Sequence, residues 1–119
     1  MLRFPRLQKL KQMFSETHYR PLPKEVIIKQ SEIDGYGIFA KQDIPKDTEL
    51  GITHVWALGK WIRTPLGGFI NHCNSPNAKG VMKQADKTDY RVLTTIRDIK
   101  EGEEITFFYT LTEYQGVFA

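Results

Sequence analysis

Cysteine is nearly missing from this chain: Cys73 is the one thiol in 119 residues. A single thiol builds no disulfide framework. With three scattered histidines it also lacks the spacing of a four-ligand zinc site, so no metal is expected. Long apolar runs are missing too. None approaches the ~20 residues that a membrane-spanning helix requires, and the basic N-terminus has no apolar core of a secretory signal. No membrane span is expected. Residues 1–15 carry no acid, which keeps a mitochondrial presequence as a minor alternative. A reducing compartment suits the lone thiol, so the expected location is the cytoplasm, with the nucleus open to a eukaryotic or viral chain.

What is present suffices for one domain. Hydrophobic residues make up 40% and aromatics 12%. The net charge of +3 is uneven. Arg3, Arg6, Lys9, Lys11, Arg20 and Lys24 stand against Glu16, so residues 1–24 carry +5 and the remainder −2. Phe4, Leu7, Leu10 and Phe14 recur at helical spacing over residues 4–16, with Arg6, Lys9 and Lys11 on other faces. Pro5 fits the first turn, and Pro21 and Pro23 end the segment. The pattern divides the chain into a basic amphipathic helix with its linker, 1–24, and a domain, 25–119. Phosphate attraction could give the arm a nucleic-acid role. A solvated helix face explains the same charges and is preferred, so nucleic acid is not an expected partner.

Past the arm the chain reads as short strands. Val26–Gln30 is rich in β-branched residues, Gly35 and Gly37 bracket a turn before Ile38-Phe39, and Leu50 to Leu58 holds one or two strands. Tyr90–Ile96 and Ile105–Tyr109 read as further strands. Little helix is expected after residue 24. Asp43-Ile44-Pro45-Lys46 and its sequel echo Asp98-Ile99-Lys100-Glu101 and its sequel. Eight residues are too few for a structural repeat, so the echo is read as common turn chemistry.

Three segments invite chemistry. Gly35-Tyr36-Gly37 reads alone as a β-turn; no third glycine or helix makes it a phosphate loop. In Asn71-His72-Cys73, Asn71 could cap a helix, His72 could be a core histidine and Cys73 a small buried residue. A Cys73–His72 nucleophilic pair is disfavoured, since neighbours on an extended chain face opposite ways. Glu103-Glu104-Ile105-Thr106-Phe107-Phe108-Tyr109 reads as an acidic turn and an edge strand of alternating aromatics.

Taken together and in this order, Gly35-Tyr36-Gly37-Ile38-Phe39-Ala40, Phe69–Asn77 and Glu101–Tyr109 resemble the SET domain of protein-lysine methyltransferases, over residues 26–109. The resemblance implies a mostly β fold of several small sheets with a threaded C-terminal segment, beside the N-terminal helix. It implies methyl transfer from S-adenosylmethionine to a lysine of a protein substrate. Gly35, Tyr36, Gly37, Asn71, His72 and Tyr109 are the implied cofactor contacts. Tyr109 is the implied catalytic residue beside the methyl path. Phe107 is the implied substrate-side aromatic that sets how many methyl groups fit.

The chain departs from the pattern in three places. Phe108 stands where the family usually has Asp. Only residues 51–69 fill the gap that builds the peptide groove in larger members. Only Thr110 to Ala119 follow the last motif, with Tyr114 and Phe118 as the aromatics left to cover the adenine. Either these residues finish the site or a second subunit does, as a homodimer. The competing reading is a catalytically silent SET-like binding module.

Overall fold

The computed structural model describes residues 20–108. The helix expected over 4–16, and Tyr109, Tyr114 and Phe118, lie outside the described residues. Within them the chain forms β1 (Val26–Gln30), β2 (Tyr36–Ala40), β3 (Glu49–Ala57), β4 (Lys60–Arg63), α1 (Pro65–Phe69), β5 (Asn71–His72), β6 (Ala78–Ala85), β7 (Thr88–Thr95) and β8 (Glu104–Phe107). These strands make two four-stranded sheets, ordered β1-β2-β8-β5 and β4-β3-β7-β6. The mostly β, multi-sheet expectation holds.

β8 arrives last yet sits inside the first sheet. It pairs antiparallel with β2 through Ile38–Ile105 and Phe39–Glu104, and parallel with β5 through Asn71–Thr106 and His72–Phe107. Asn77, only 3% exposed, fixes it further. Its side chain donates to Glu104 O at 2.8 Å and accepts from Thr106 N at 2.9 Å. One carboxamide thus satisfies two main-chain groups of β8, as a neighbouring strand would.

The second sheet grows by two hairpins. Leu58-Gly59 and Asp86-Lys87 link β3 to β4 and β6 to β7, and all four residues have positive φ, between 50° and 76°. Two left-handed residues in succession are what a twist-compatible two-residue loop requires. α1 follows because Thr64 caps it, accepting from Gly67 N at 3.3 Å, and Pro65 opens its first turn. The helix lies so close to β3 that a Cβ on Gly67 would overlap Thr53 O.

The main core lies between the sheets. Ile38, Leu93 and Ile105 are wholly buried at its centre, and Leu66 from α1 and Ile70 just after it join them. Each buried aliphatic side chain contributes roughly 1.5–3 kcal/mol. A smaller cluster of Ile52, Ala85, Tyr90 and Val92 packs on the second sheet.

The sequence echo turns out to be a docked pair. Ile44 N donates to Ile99 O at 2.7 Å and Ile99 N to Ile44 O at 2.8 Å. Lys46 N donates to Asp98 Oδ1, and Glu101 N to Asp43 Oδ1, both at 2.8 Å. Each aspartate receives the amide three residues past the other aspartate. Common turn chemistry is only half the account: the two turns are alike because they cap one another about a local two-fold.

Candidate functional site

Three sequence motifs, far apart along the chain, meet where β2, β5 and β8 lie side by side. Gly37 on β2 faces the Asn71 side chain from β5 and the Glu104 side chain from β8. A Cβ built on Gly37 would overlap Glu104 Oε2 and stand 3.1 Å from Asn71 Nδ2. The bare backbone of Gly37 therefore makes room for two polar side chains of the protein itself.

Asn71 is 9% exposed and its amide nitrogen is surrounded by acceptors. Nδ2 donates toward Glu104 Oε2 at 2.8 Å, Ser31 Oγ at 3.1 Å, Asp34 O at 3.1 Å and Tyr36 O at 3.3 Å. Ser31 in turn donates to Glu104 Oε1 at 2.7 Å and Oε2 at 2.9 Å. The same hydroxyl accepts from Ile33 N at 2.9 Å, which organises the loop leading into Gly35. Asn71, Glu104 and Ser31 form one network that ties loop 31–35 to β5 and β8. The helix-cap alternative for Asn71 does not apply, because α1 ends at Phe69 and Asn71 opens β5.

His72 lies next on β5 and is partly exposed. Its Nε2 stands 3.0 Å from Asn74 Oδ1, and its ring meets Phe108 with centroids 4.8 Å apart. The residue that departs from the family pattern thus covers the His72 ring and remains 52% exposed. Cys73 N donates to Phe107 O at 3.0 Å. Phe107 is 2% exposed and belongs to the main core. Tyr36 is 62% exposed at the start of β2. Of the residues named from sequence, Gly37, Asn71 and, through its carbonyl, Tyr36 touch the same network, Gly35 borders it, and His72 is its neighbour on β5.

Glu104 and Ser31 are the participants that motif reading did not assign. Glu104 stood inside the quoted acidic turn, but nothing local distinguishes it from Glu103. Glu103 faces outward: its carboxyl is held below the usual range by the Lys100 amide and by Arg97. Ser31 carried a signal of its own, a hydroxyl two residues before the Ile33 amide of a turn. No cluster of three or more metal-ligating side chains occurs among the described residues, and no helix among them is long and apolar enough to cross a membrane.

The SET domain family model matches residues 53–110. A histone-lysine N-methyltransferase of Mycosarcoma maydis, H3 lysine-36 specific, is 29% identical over an alignment that covers 87% of this chain. The chain spans 14% of that relative's length. Among solved structures, a Plasmodium falciparum protein assigned as a histone methyltransferase superposes with a TM-score of 0.64 at 17% identity, covering 75% of this chain and 96% of that one. Polycomb Repressive Complex 2 of Chaetomium thermophilum, in an autoinhibited conformation bound to S-adenosylmethionine, gives a TM-score of 0.63 at 22% identity, over 75% of this chain and 15% of that one. Sequence match and fold point the same way: residues 53–110 are similar to the SET domain, and the described strands share the fold of these solved structures.

Proposed function

We propose that this chain binds S-adenosylmethionine and transfers its methyl group to a lysine side chain of a protein substrate. The observation that carries the reading is the convergence of the Gly37, Asn71 and Glu104 segments on one junction of three strands. A carboxylate and two main-chain carbonyls gather on the NH2 end of Asn71, which leaves its amide oxygen to suit a ligand with a cationic group. The Asn71 oxygen would receive the ammonium of the cofactor's amino-acid end. Backbone at Gly35, Tyr36 and Gly37 and at His72 would line the rest.

When bound, the cofactor supplies an electrophilic methyl group on a sulfonium. The chain's own work is to hold the lysine amine in line with that methyl and to keep water out, and orientation of this kind is worth up to ~7–11 kcal/mol. The amine must arrive neutral, although free lysine has a pKa of about 10.4. An apolar channel beside a cation lowers that value by desolvation and like charge. Tyr109 is assigned to orient the amine, with water carrying the proton away. Phe107 is assigned to the channel wall, where a ring without a hydroxyl leaves space for a second and third methyl. The substrate is a protein lysine; the relative's histone H3 specificity is not carried over.

Calorimetric titration with S-adenosylhomocysteine, followed by methyl transfer to mixed basic proteins read by mass spectrometry, tests this. Binding with transfer supports the enzyme. Binding without transfer favours the silent module, and no binding overturns both. Tyr109→Phe should lower kcat with little change in cofactor affinity.

A further inference from the structure

The partners of Asn71 determine which end of its carboxamide faces away from the strands. Asp34 O and Tyr36 O carry no hydrogen, and the Glu104 carboxylate only accepts. The single Ser31 proton is directed at Glu104, so toward Asn71 the hydroxyl is an acceptor as well. An amide oxygen placed among these four would face oxygen on every side. The NH2 end is therefore held inward, and Oδ1 is turned to the other side of the amide plane.

We infer that Glu104, supported by Ser31, is a positioning residue that locks the Asn71 carboxamide with its oxygen toward the α-ammonium of the cofactor. The inference rests on the proposed cofactor. A cationic ammonium needs an acceptor, and a flipped amide would present two donors to it. The charge on Glu104 makes its bond to Asn71 stronger than a neutral one and polarises the amide, so that Oδ1 gains negative character. Gly37 belongs to the same device, because any side chain there would displace the carboxylate. Neither Glu104 nor Ser31 needs to touch the ligand to act in this way.

The test compares two ligands on the full chain: S-adenosylhomocysteine, and 5′-methylthioadenosine, which keeps the nucleoside and thioether but lacks the amino-acid end. Glu104→Gln and Ser31→Ala should each weaken S-adenosylhomocysteine about tenfold, the loss of one charge-assisted bond. Binding of 5′-methylthioadenosine should stay unchanged, and Ser31→Thr, which keeps the hydroxyl, should restore the wild-type ratio. Equal losses for both ligands, or no loss for either, overturn the positioning role while leaving the cofactor reading intact. A wild type that binds neither ligand overturns the cofactor reading. The ligand-free protein gives an independent readout. The Asn71 side-chain NH2 protons should exchange slowly with solvent by NMR in the wild type and fast in Ser31→Ala. Fast exchange in the wild type overturns the lock.

Discussion

Gly35 and Gly37 stand two residues apart and lack side chains for different reasons. Gly35 has φ +46°, and a Cβ there would meet nothing within 4 Å. Its requirement is conformational. Gly37 needs space, since a Cβ would overlap the Glu104 carboxylate. Gly35→Ala should cost roughly 1 kcal/mol in denaturant unfolding and leave ligand affinity near wild type. Gly37→Ala should cost about 1–3 kcal/mol and also weaken S-adenosylhomocysteine, because Glu104 must move. Urea midpoints paired with titration check this, and a larger binding loss from Gly35→Ala would contradict it. The sequence marked both glycines as a turn beside a ligand. It could not separate them, because the atom that needs the space at Gly37 comes from the far end of the described chain.

Among the elements, β8 relies on a single side chain outside its own strand, that of Asn77. Asn77→Ala would leave Glu104 O and Thr106 N without the partner the carboxamide provides. Two buried main-chain groups left unpaired should destabilise the fold by roughly 3 kcal/mol. Amide exchange at Thr106 should rise more than at Val92 on β7; uniform exchange would argue against a local role. The docked turns make a milder case. Asp98→Ala removes the acceptor of the Lys46 amide at the surface and should cost about 1 kcal/mol, and Asp43→Ala should match it through Glu101. Unequal losses by chemical denaturation would break the proposed two-fold. β1, β3 and β7 were legible because their β-branched content is high. β4, α1 and β6 were not. Ala78–Ala85 has Val81 as its one β-branched residue and is a strand because the Asp86-Lys87 loop folds it onto β7. α1 has only five residues, too short for any helical period to show.

At the scale of the whole molecule, order and identity of motifs gave the family likeness, while the meeting of β2, β5 and β8 needed coordinates. No local pattern announces that Glu104 pairs with Ser31 and Asn71 rather than with water. The same holds for His54, which the sequence shows only as one histidine in an apolar strand. In the fold it is 2% exposed, its Nδ1 is 2.9 Å from Thr53 Oγ1, and its ring lies edge-on to Trp61. Burial first, then the charges of Arg91 and Arg63, lower its pKa from 6.5 to about 4. The folded chain therefore keeps His54 neutral down to about pH 4, while the unfolded chain protonates it below about 6.5. Between these values the unfolded state binds more protons, so stability rises with pH. The contribution is complete above about pH 6.5 and is lost as pH falls toward 4. Partial solvent screening of the charges keeps it to the order of 2 kcal/mol. Carboxylates titrate in the lower part of that window, so the clean interval runs from about pH 5 to about 6.5. Urea unfolding across it should show wild-type stability climbing with pH. His54→Gln, which keeps a polar group near Thr53 but takes up no proton, should give a flatter line. Equal slopes for the two proteins would mean that His54 is not what couples this fold to pH.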